Sequence, residues 1–462
     1  MAMHPRRRRA AVRGGLLAMI LFLVCLWAAG GASREDVLGQ VIVRAVAWGA
    51  VVVLALLAPA EPRRIDRMVP ALLFASLALV LLQLIPLPPA LWAALPGRGS
   101  FAPVDTLAGG PVWRPAAIVP GAAINAAGAL IVPIATFALM RGVARSDDGR
   151  LLATLLALVV ASALVGVIQF AGSGLSNPFV NSGGEPSSVF ANRNHFALFL
   201  AIGCVLAPAW AGRGERLRAW RLFVAAAVTL LLLLLIVASG SRAGMLVGVV
   251  AVAAGAALIA PRARLSFGGL PRWAAPAAMA AFALVIVLLI ALSYGENRAM
   301  GIDRALNASV NGDMRRRGLP TVLSMIAQYF PVGSGFGGFD PLFRLHEPYD
   351  LLKPTYFNHA HNDVLELLLD GGLPAAALLL VAPVWWARRS ITAWRALAAA
   401  PLPVVGSVIL FIVAVASMFD YPARTPMIMA LLVVAAAWLS DAGALPDAGE
   451  ESMRIRRSMR TT

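Results

Sequence analysis

The segment Asn358-His359-Ala360-His361-Asn362-Asp363 stands directly before an apolar run and, with His346, gathers three of the chain's five histidines. Imidazole ordinarily titrates near neutrality, so a histidine at a water–lipid boundary can take a proton from a hydroxyl. His361, the last of the three, is the candidate base, with His359 beside it. Asn362 and Asp363 are suited to capping the helix that follows. Asp363, Glu366 and Asp370 recur at i, i+3 and i+7, which puts them on one helix face. Ionisable groups inside a span turn toward the bundle interior or a cavity, and that makes Glu366 a candidate partner or orienter. Helix capping with interfacial solvation is the plainer account of the same residues.

The candidate cations are scattered. Arg242 lies in Ser239-Gly240-Ser241-Arg242-Ala243-Gly244, between two apolar runs with no room for a real loop. Its planar, permanently charged fork suits a diphosphate; a snorkelling helix anchor is the alternative. Arg315, Arg316 and Arg317 form an outward triplet that a topological charge bias does not explain, although a solvated face would. Adjacent helical residues point in different directions, so one or two of them would reach a shared ligand. Arg44, about seven residues into the second apolar run, either snorkels or lines a cavity. Asn192-Arg193-Asn194-His195 reads as a polar cap or a cavity wall, and Asp420-Tyr421-Pro422 as a turn. The glycine-rich stretch 333–338 lacks both the Gly-Lys-Ser/Thr end of a nucleotide loop and the flanking strand of a dinucleotide fingerprint. His359 and His361 have no evident third ligand, so no metal is expected. A base and fixed cations at a membrane surface suggest chemistry on a lipid-linked anion.

These residues must be positioned by membrane helices. The 462 residues are 60% hydrophobic and 13% charged, with mean hydropathy +0.79, and a transmembrane helix needs about 20 consecutive apolar residues. Qualifying windows start near 15, 37, 69, 116, 150, 195, 220, 241, 273, 361, 403 and 424. The expected fold is therefore an all-α polytopic integral membrane helix bundle of about twelve transmembrane helices. The first run follows Arg6-Arg7-Arg8-Arg9, lacks a small-residue cleavage site and is read as retained. The formal charge of +16 is not a nucleic-acid signal: 25 of the 39 Lys+Arg residues fall in predicted inner segments, as the positive-inside rule requires. Both termini are then cytoplasmic. Cys25 and Cys204 fall inside apolar runs and give no disulfide framework.

The outward connections differ in size. Residues 31–36 and 420–423 are mere turns, and 96–115 and 173–194 are moderate loops. Residues 295–358 are too long for an idle connector. Aromatic residues there, from Tyr329 to Phe357, argue against disorder. A helix over 314–329, stopped by Pro331 and the glycine run, predicts one large ordered periplasmic loop capping an outward cavity. The chain divides into N-terminal transmembrane helices (1–172), a core containing that loop (173–440) and an Arg-rich cytoplasmic tail (441–462) expected to be disordered.

In order along the chain, Ser188-Val189-Phe190-Ala191-Asn192-Arg193-Asn194-His195, Ser239-Gly240-Ser241-Arg242, Pro331-Val332-Gly333-Ser334-Gly335-Phe336-Gly337 and His359-Ala360-His361-Asn362-Asp363 resemble the O-antigen ligase and polymerase superfamily. The resemblance covers roughly 185–440. Its ligases carry His, then Asn, Ser or Gln, nine residues, Gly, two residues, Gly; here His361-Asn362 leads to Gly372, but Ala375 replaces the last glycine. That departure loosens the assignment to ligases over polymerases. The resemblance implies a metal-independent, cofactor-free glycosyltransferase of the bacterial inner membrane working on its periplasmic side. His361 would be the base and Arg242 would hold the donor diphosphate. Arg315 would be the second essential arginine, with Arg316 and Arg317 as rivals, and His359, Asn362, Glu366 and Arg44 would support them.

The partners so implied are a polyprenyl-diphosphate-linked glycan donor, a lipid A–core or other glycan acceptor, and membrane lipid. A polymerase of repeat units or of exopolysaccharide is the same-class alternative. A secondary transporter of a small anion is the different-class one; it would place its site near the midplane on broken helices, and no internal repeat favours it.

Overall fold

The computed structural model describes residues 5–57, 62–101, 103, 107, 109–181, 186–214, 217–266, 310–352 and 357–444. The predicted span near 273, the loop segment 295–309 and the tail beyond 444 lie outside the described residues. What is described is almost wholly helical. The helices are α1 (Pro5–Ala29), α2 (Leu38–Leu57), α3 (Met68–Leu82), α4 (Pro89–Ala93), α5 (Pro120–Ala129), α6 (Ile131–Gly142), α7 (Asp148–Phe170), α8 (Arg193–Ala211), α9 (Ala219–Ala238), α10 (Arg242–Ser266), α11 (Val310–Tyr329), α12 (Phe339–His346), α13 (Asp363–Arg395), α14 (Pro401–Ser417) and α15 (Pro426–Ser440). The strands β1 (Pro86–Leu87) and β2 (Arg114–Pro115) form a single antiparallel two-residue pair. Among the described residues, seven helical stretches are long and apolar enough to cross a membrane, and four shorter apolar helices accompany them. The protein is an all-α integral membrane protein. The window near 116 holds two helices, α5 and α6, adjoining at Leu130.

Helix starts follow local chemistry. Proline begins α5, α14 and α15, where its missing N–H leaves no bond unmade. Asn192 and Asn362 cap α8 and α13 by accepting from Asn194 N and Leu365 N. The central element is α8, buried from His195 to Ala207 and packed on α7, α9, α10 and α14. Its first turn therefore opens into the middle of one end of the bundle. The α14–α15 hairpin brings the turn 418–425 to that same end.

The other end of α15 holds a different polar set. Arg63 lies between Asp148 (2.7 Å) and Asp441 (2.5 Å), Arg145 also reaches Asp441 (2.8 Å), and Arg389 pairs with Asp66. All of these fall in or beside predicted inner segments. Burial works against the Arg63 charge, but its bonds to Asp148 and the charge of Asp441 hold its pKa above the ordinary value.

The helix α11 matches the one expected over 314–329 and begins at Val310. With α12 it covers an apolar cluster of Val322, Met325, Tyr329, Phe339, Leu342, Phe343, Phe357 and Leu369, so the described part of the large loop is a packed cap. Arg98 ties the 96–115 loop to it, donating to the carbonyls of Pro96, Ala116 and Gly333. Its guanidinium carbon stands 5.6 Å from the centre of the Tyr329 ring. Burial pulls the Arg98 pKa down to about 10.

Candidate active site

His361 precedes the cap of α13 with φ of +49°. A non-glycine residue in this left-handed region costs on the order of 1–3 kcal/mol and persists where its surroundings enforce it. The side chain so placed meets Asp420. His361 Nδ1–H donates to Asp420 Oδ1 at 3.1 Å, and the carboxylate can only accept, which fixes the tautomer. The lone pair of Nε2 is then available, and the side chain is 17% exposed. That is the state a general base needs.

Asp420 is a hub. Its Oδ2 accepts from Asn192 Nδ2 (3.1 Å) and Asn194 Nδ2 (2.5 Å), while Oδ1 also takes the Tyr421 N–H (3.0 Å). Arg315 comes within 3.6 Å of the same Oδ2 and donates to the Phe419 carbonyl (3.0 Å). Burial opposes ionisation. The His361 hydrogen bond and the charges of His361, Arg315 and His195 overcome it and hold the Asp420 carboxyl far below the usual carboxylate range.

Tyr421 lies against all three rings of the cluster: His359 at 4.2 Å, His361 at 5.1 Å and His195 at 5.2 Å between centroids. Burial, then the Asp420 charge, push its phenol up to about 12, so it stays neutral. A second knot lies deeper. Arg424 reaches Glu366 (3.2 Å), Asp363 (3.2 Å) and Asp370 (3.7 Å), the three carboxylates that share one face of α13. Burial disfavours its charge, but Glu366, Asp370 and Asp363 raise its pKa above the ordinary arginine value.

Two expectations become specific. Glu366, the candidate partner or orienter, accepts from His359 Nδ1–H (2.9 Å) and from the Ala360 N–H (2.8 Å). The turn at Asp420 is a turn, but it also carries the orienting carboxylate and, through Arg424, the neutralising cation. Sequence reasoning read Asp420 and Tyr421 only as a turn and passed over Arg424, although two charged residues in so short an outward connection between apolar helices were a usable signal.

The arginine triplet separates. Arg315 faces Asp420, Arg317 pairs instead with Asp350 (2.7 Å), and Arg316 is exposed. Arg242 opens α10 with an exposed side chain. Two residues on, Gly244 packs so tightly on Ala197 of α8 that an added Cβ would sit 2.4 Å from the alanine methyl. Arg242 thus occupies the same end of the bundle as Asn194 and Asp420. Arg44 is elsewhere, its guanidinium against Gly128 of α5, and among the described residues its Nε and Nη2 have no hydrogen-bond partner. Asn362 serves as the cap and donates to the Met418 carbonyl (3.0 Å). His346 contacts Gln328 (3.0 Å) and Tyr329, away from the hub. Among the described residues no group of three or more His, Cys, Asp or Glu is arranged to hold a metal ion.

The glycine run is a bracket. Gly372 breaks α13 with φ of +56°, and any Cβ there would strike the Pro331 carbonyl at 2.1 Å. Loop 331–337 fills the break: Leu373 N donates to Pro331 O (2.8 Å), Gly335 N to Asp370 O (3.0 Å) and Gly337 N to Asp370 Oδ2 (3.2 Å). Ala375, where the ligase pattern has glycine, is buried against Gly371.

Residues 225–380 match the family model for O-antigen ligase. The resemblance read from the motifs is borne out over that stretch. Arg242, the arginine triplet and the His359–Glu366 segment all lie inside it, whereas Asn192, Asp420, Tyr421 and Arg424 lie outside. Members of the O-antigen ligase family are glycosyltransferase-like enzymes, ligases or polymerases. No curated protein matches the chain.

Proposed function

We propose that this protein is an inner-membrane glycosyltransferase that moves a glycan from a polyprenyl diphosphate to an acceptor sugar hydroxyl, on the O-antigen ligase pattern and on the periplasmic side. The observation that carries the reading is the His361–Asp420–Arg315 arrangement: an oriented imidazole with a free Nε2, and a cation on the same carboxylate. In the step proposed, Nε2 takes the proton of the acceptor hydroxyl. The hydroxyl oxygen forms the new bond to the anomeric carbon. The bond from that carbon to the diphosphate oxygen breaks, and its electron pair leaves on polyprenyl diphosphate. Arg315 and Arg242 meet the charge that develops there. Asp420 stabilises the imidazolium, as the carboxylate of a hydrolase triad does. Direct displacement inverts the anomeric centre, and trapping a covalent glycosyl-enzyme would overturn that stereochemistry.

The transporter alternative draws no support from the break in α13, because the chain's own loop 331–337 occupies it. The topology proposed with this reading has twelve spans with both termini cytoplasmic. The test is a lipopolysaccharide gel from a deletion strain complemented with wild type or His361→Ala. Bare core that only wild type converts to a ladder means a ligase. Core carrying a single repeat means the polymerase of the same superfamily, and a ladder unaffected by the deletion removes both.

A further inference from the structure

Beside the catalytic cluster is a cavity of about 320 Å³. Its walls are the Gly31–Arg34 turn between α1 and α2, Asn181, Asn192 and His195 of the α8 start, Asn358 and Tyr421. The turn is fixed in place: Gly31 O accepts from Ala191 N (3.0 Å), Ala32 O from Gln40 Nε2 (2.6 Å), and Gly30 O from Met427 N (3.1 Å). The wall is therefore preformed. We propose that this cavity seats a single sugar ring of the glycan acceptor, held through its hydroxyls by the asparagine amides and presented beside His361. The assignment rests on the glycosyltransferase reading above.

The lining decides the occupant. Asn192 is committed to the α8 cap and to Asp420, so Asn181 and Asn358 carry the recognition: an amide offers both donors and an acceptor, and a sugar hydroxyl is likewise both. The other wall residues from the turn and from Ala191 are small, so nothing there suits an isoprenoid tail. A diphosphate fits no better: the cation in the wall, Arg34, is already bonded to Asp36 through both Nε and Nη2, and that carboxylate would repel an anion. The volume lies at the small end of the ~300–1,000 Å³ range of ligand pockets, which suits one ring rather than a polymer. The cavity also shares two residues with the hub: Asn192 bonds Asp420, and Tyr421, hydrogen-bonded by Asn358 and Asn192, lies against His359 and His361. The cations assigned to the donor are on α10 and α11, neither of which walls the cavity. Donor and acceptor thus approach His361 from different elements.

The test uses the full chain in detergent and saturation-transfer NMR with the methyl glycosides of glucose, galactose and N-acetylglucosamine. Wild type and His361→Ala are expected to give a transfer signal that saturating inorganic pyrophosphate leaves in place. Ser33→Trp or Asn181→Trp, each filling the cavity, is expected to cut that signal at least tenfold with an unaltered melting transition. If the tryptophans unfold the chain, Asn181→Ala combined with Asn358→Ala carries the same expectation. The proposal is overturned if no glycoside gives a signal, if the signal survives these variants, or if pyrophosphate displaces it. Failure of the glycosyltransferase reading shows separately, as a His361→Ala strain that still makes its surface glycan.

Discussion

The helix α15 spans about 22 Å at 1.5 Å per residue, and each of its ends meets a knot of buried charge. At the Asp441 end, Arg63 and Arg145 face Asp148 and Asp441, two cations against two carboxylates. At the Pro426 end, Arg315 and Arg424 face Asp363, Glu366, Asp370 and Asp420, two against four. Neutral N–H donors of His359 and His361 serve Glu366 and Asp420, whereas Asp370 Oδ1 has no hydrogen-bond partner among the described residues. The first knot is closed and fastens helices together. The second has room for a proton, because a charge arriving on His361 lands beside a carboxylate already bonded to that ring.

The sharpest way to break this comparison is at Arg424. Removing it in Arg424→Met strands three carboxylates, and breaking a buried pair costs about 3–5 kcal/mol. The expected outcome is a chain that fails to accumulate as a monodisperse peak in size-exclusion chromatography. Replacing Asp370 by Asn in the same chain should recover part of the yield. If Arg424→Met behaves as wild type, the deeper knot does not hold the fold.

Asp420→Asn should separate orientation from stability. An amide can present its N–H to Nδ1 and reverse the tautomer, so transfer should fall by roughly 10²–10⁴, the range of general-base effects and of triad tautomer reversal. The sign of the pH effect follows from the depressed pKa of Asp420. Its contribution to stability is complete above the unfolded value of about 3.9 and is lost as pH falls toward the lower folded value. Wild type should therefore lose melting temperature on acidification below about pH 4, and Asp420→Asn should lose less over that window. Equal acid sensitivity in the two proteins would remove Asp420 from the account.

Within the arginine triplet the same logic ranks neighbours. Arg315→Ala should cost at least about tenfold in transfer, in keeping with one cation lost from a developing oxyanion. Arg317→Ala, which removes an exposed pair with Asp350, should leave transfer within about twofold because surface ion pairs contribute ~0–1 kcal/mol. Reversed ranks would show that the cap presents its cations differently when the donor is bound.

How far the sequence revealed these two regions depended on distance along the chain. Apolar windows located the helices, and an apolar face stopped by Pro331 and the glycine run located α11. His361 and the shared face of Asp363, Glu366 and Asp370 were legible because helical spacing and residue type are local properties, whereas Arg315 stood out from its triplet only through the family resemblance. Asp420 was not, since it meets His361 only when the α14–α15 hairpin folds back across 59 positions. Arg424 was hidden the same way, because its three carboxylates lie on another helix. Glu366 was read as a partner or orienter without a named histidine, because spacing places a residue on a face but does not choose between two rings two positions apart; the structure pairs it with His359. The Gly31–Arg34 turn carried no chemistry of its own and acquires meaning only from the residues opposite it.

The smallest effect sits at the balanced end and is the control for the whole comparison. Arg145 is half exposed and shares Asp441 with the buried Arg63. Arg145→Ala removes one of two cations on that carboxylate, so Arg63 remains and the buried partner is never stranded. The expected loss is within about 1 kcal/mol, seen as a small fall in melting temperature that shrinks further in high salt, with transfer unchanged. Arg63→Ala differs by leaving Asp148 without its cation, and should melt well below Arg145→Ala while any folded fraction keeps its activity per molecule. A specific-activity loss in either variant, with the His361 cluster about 22 Å away along α15, would mean that the two knots are coupled through that helix rather than independent.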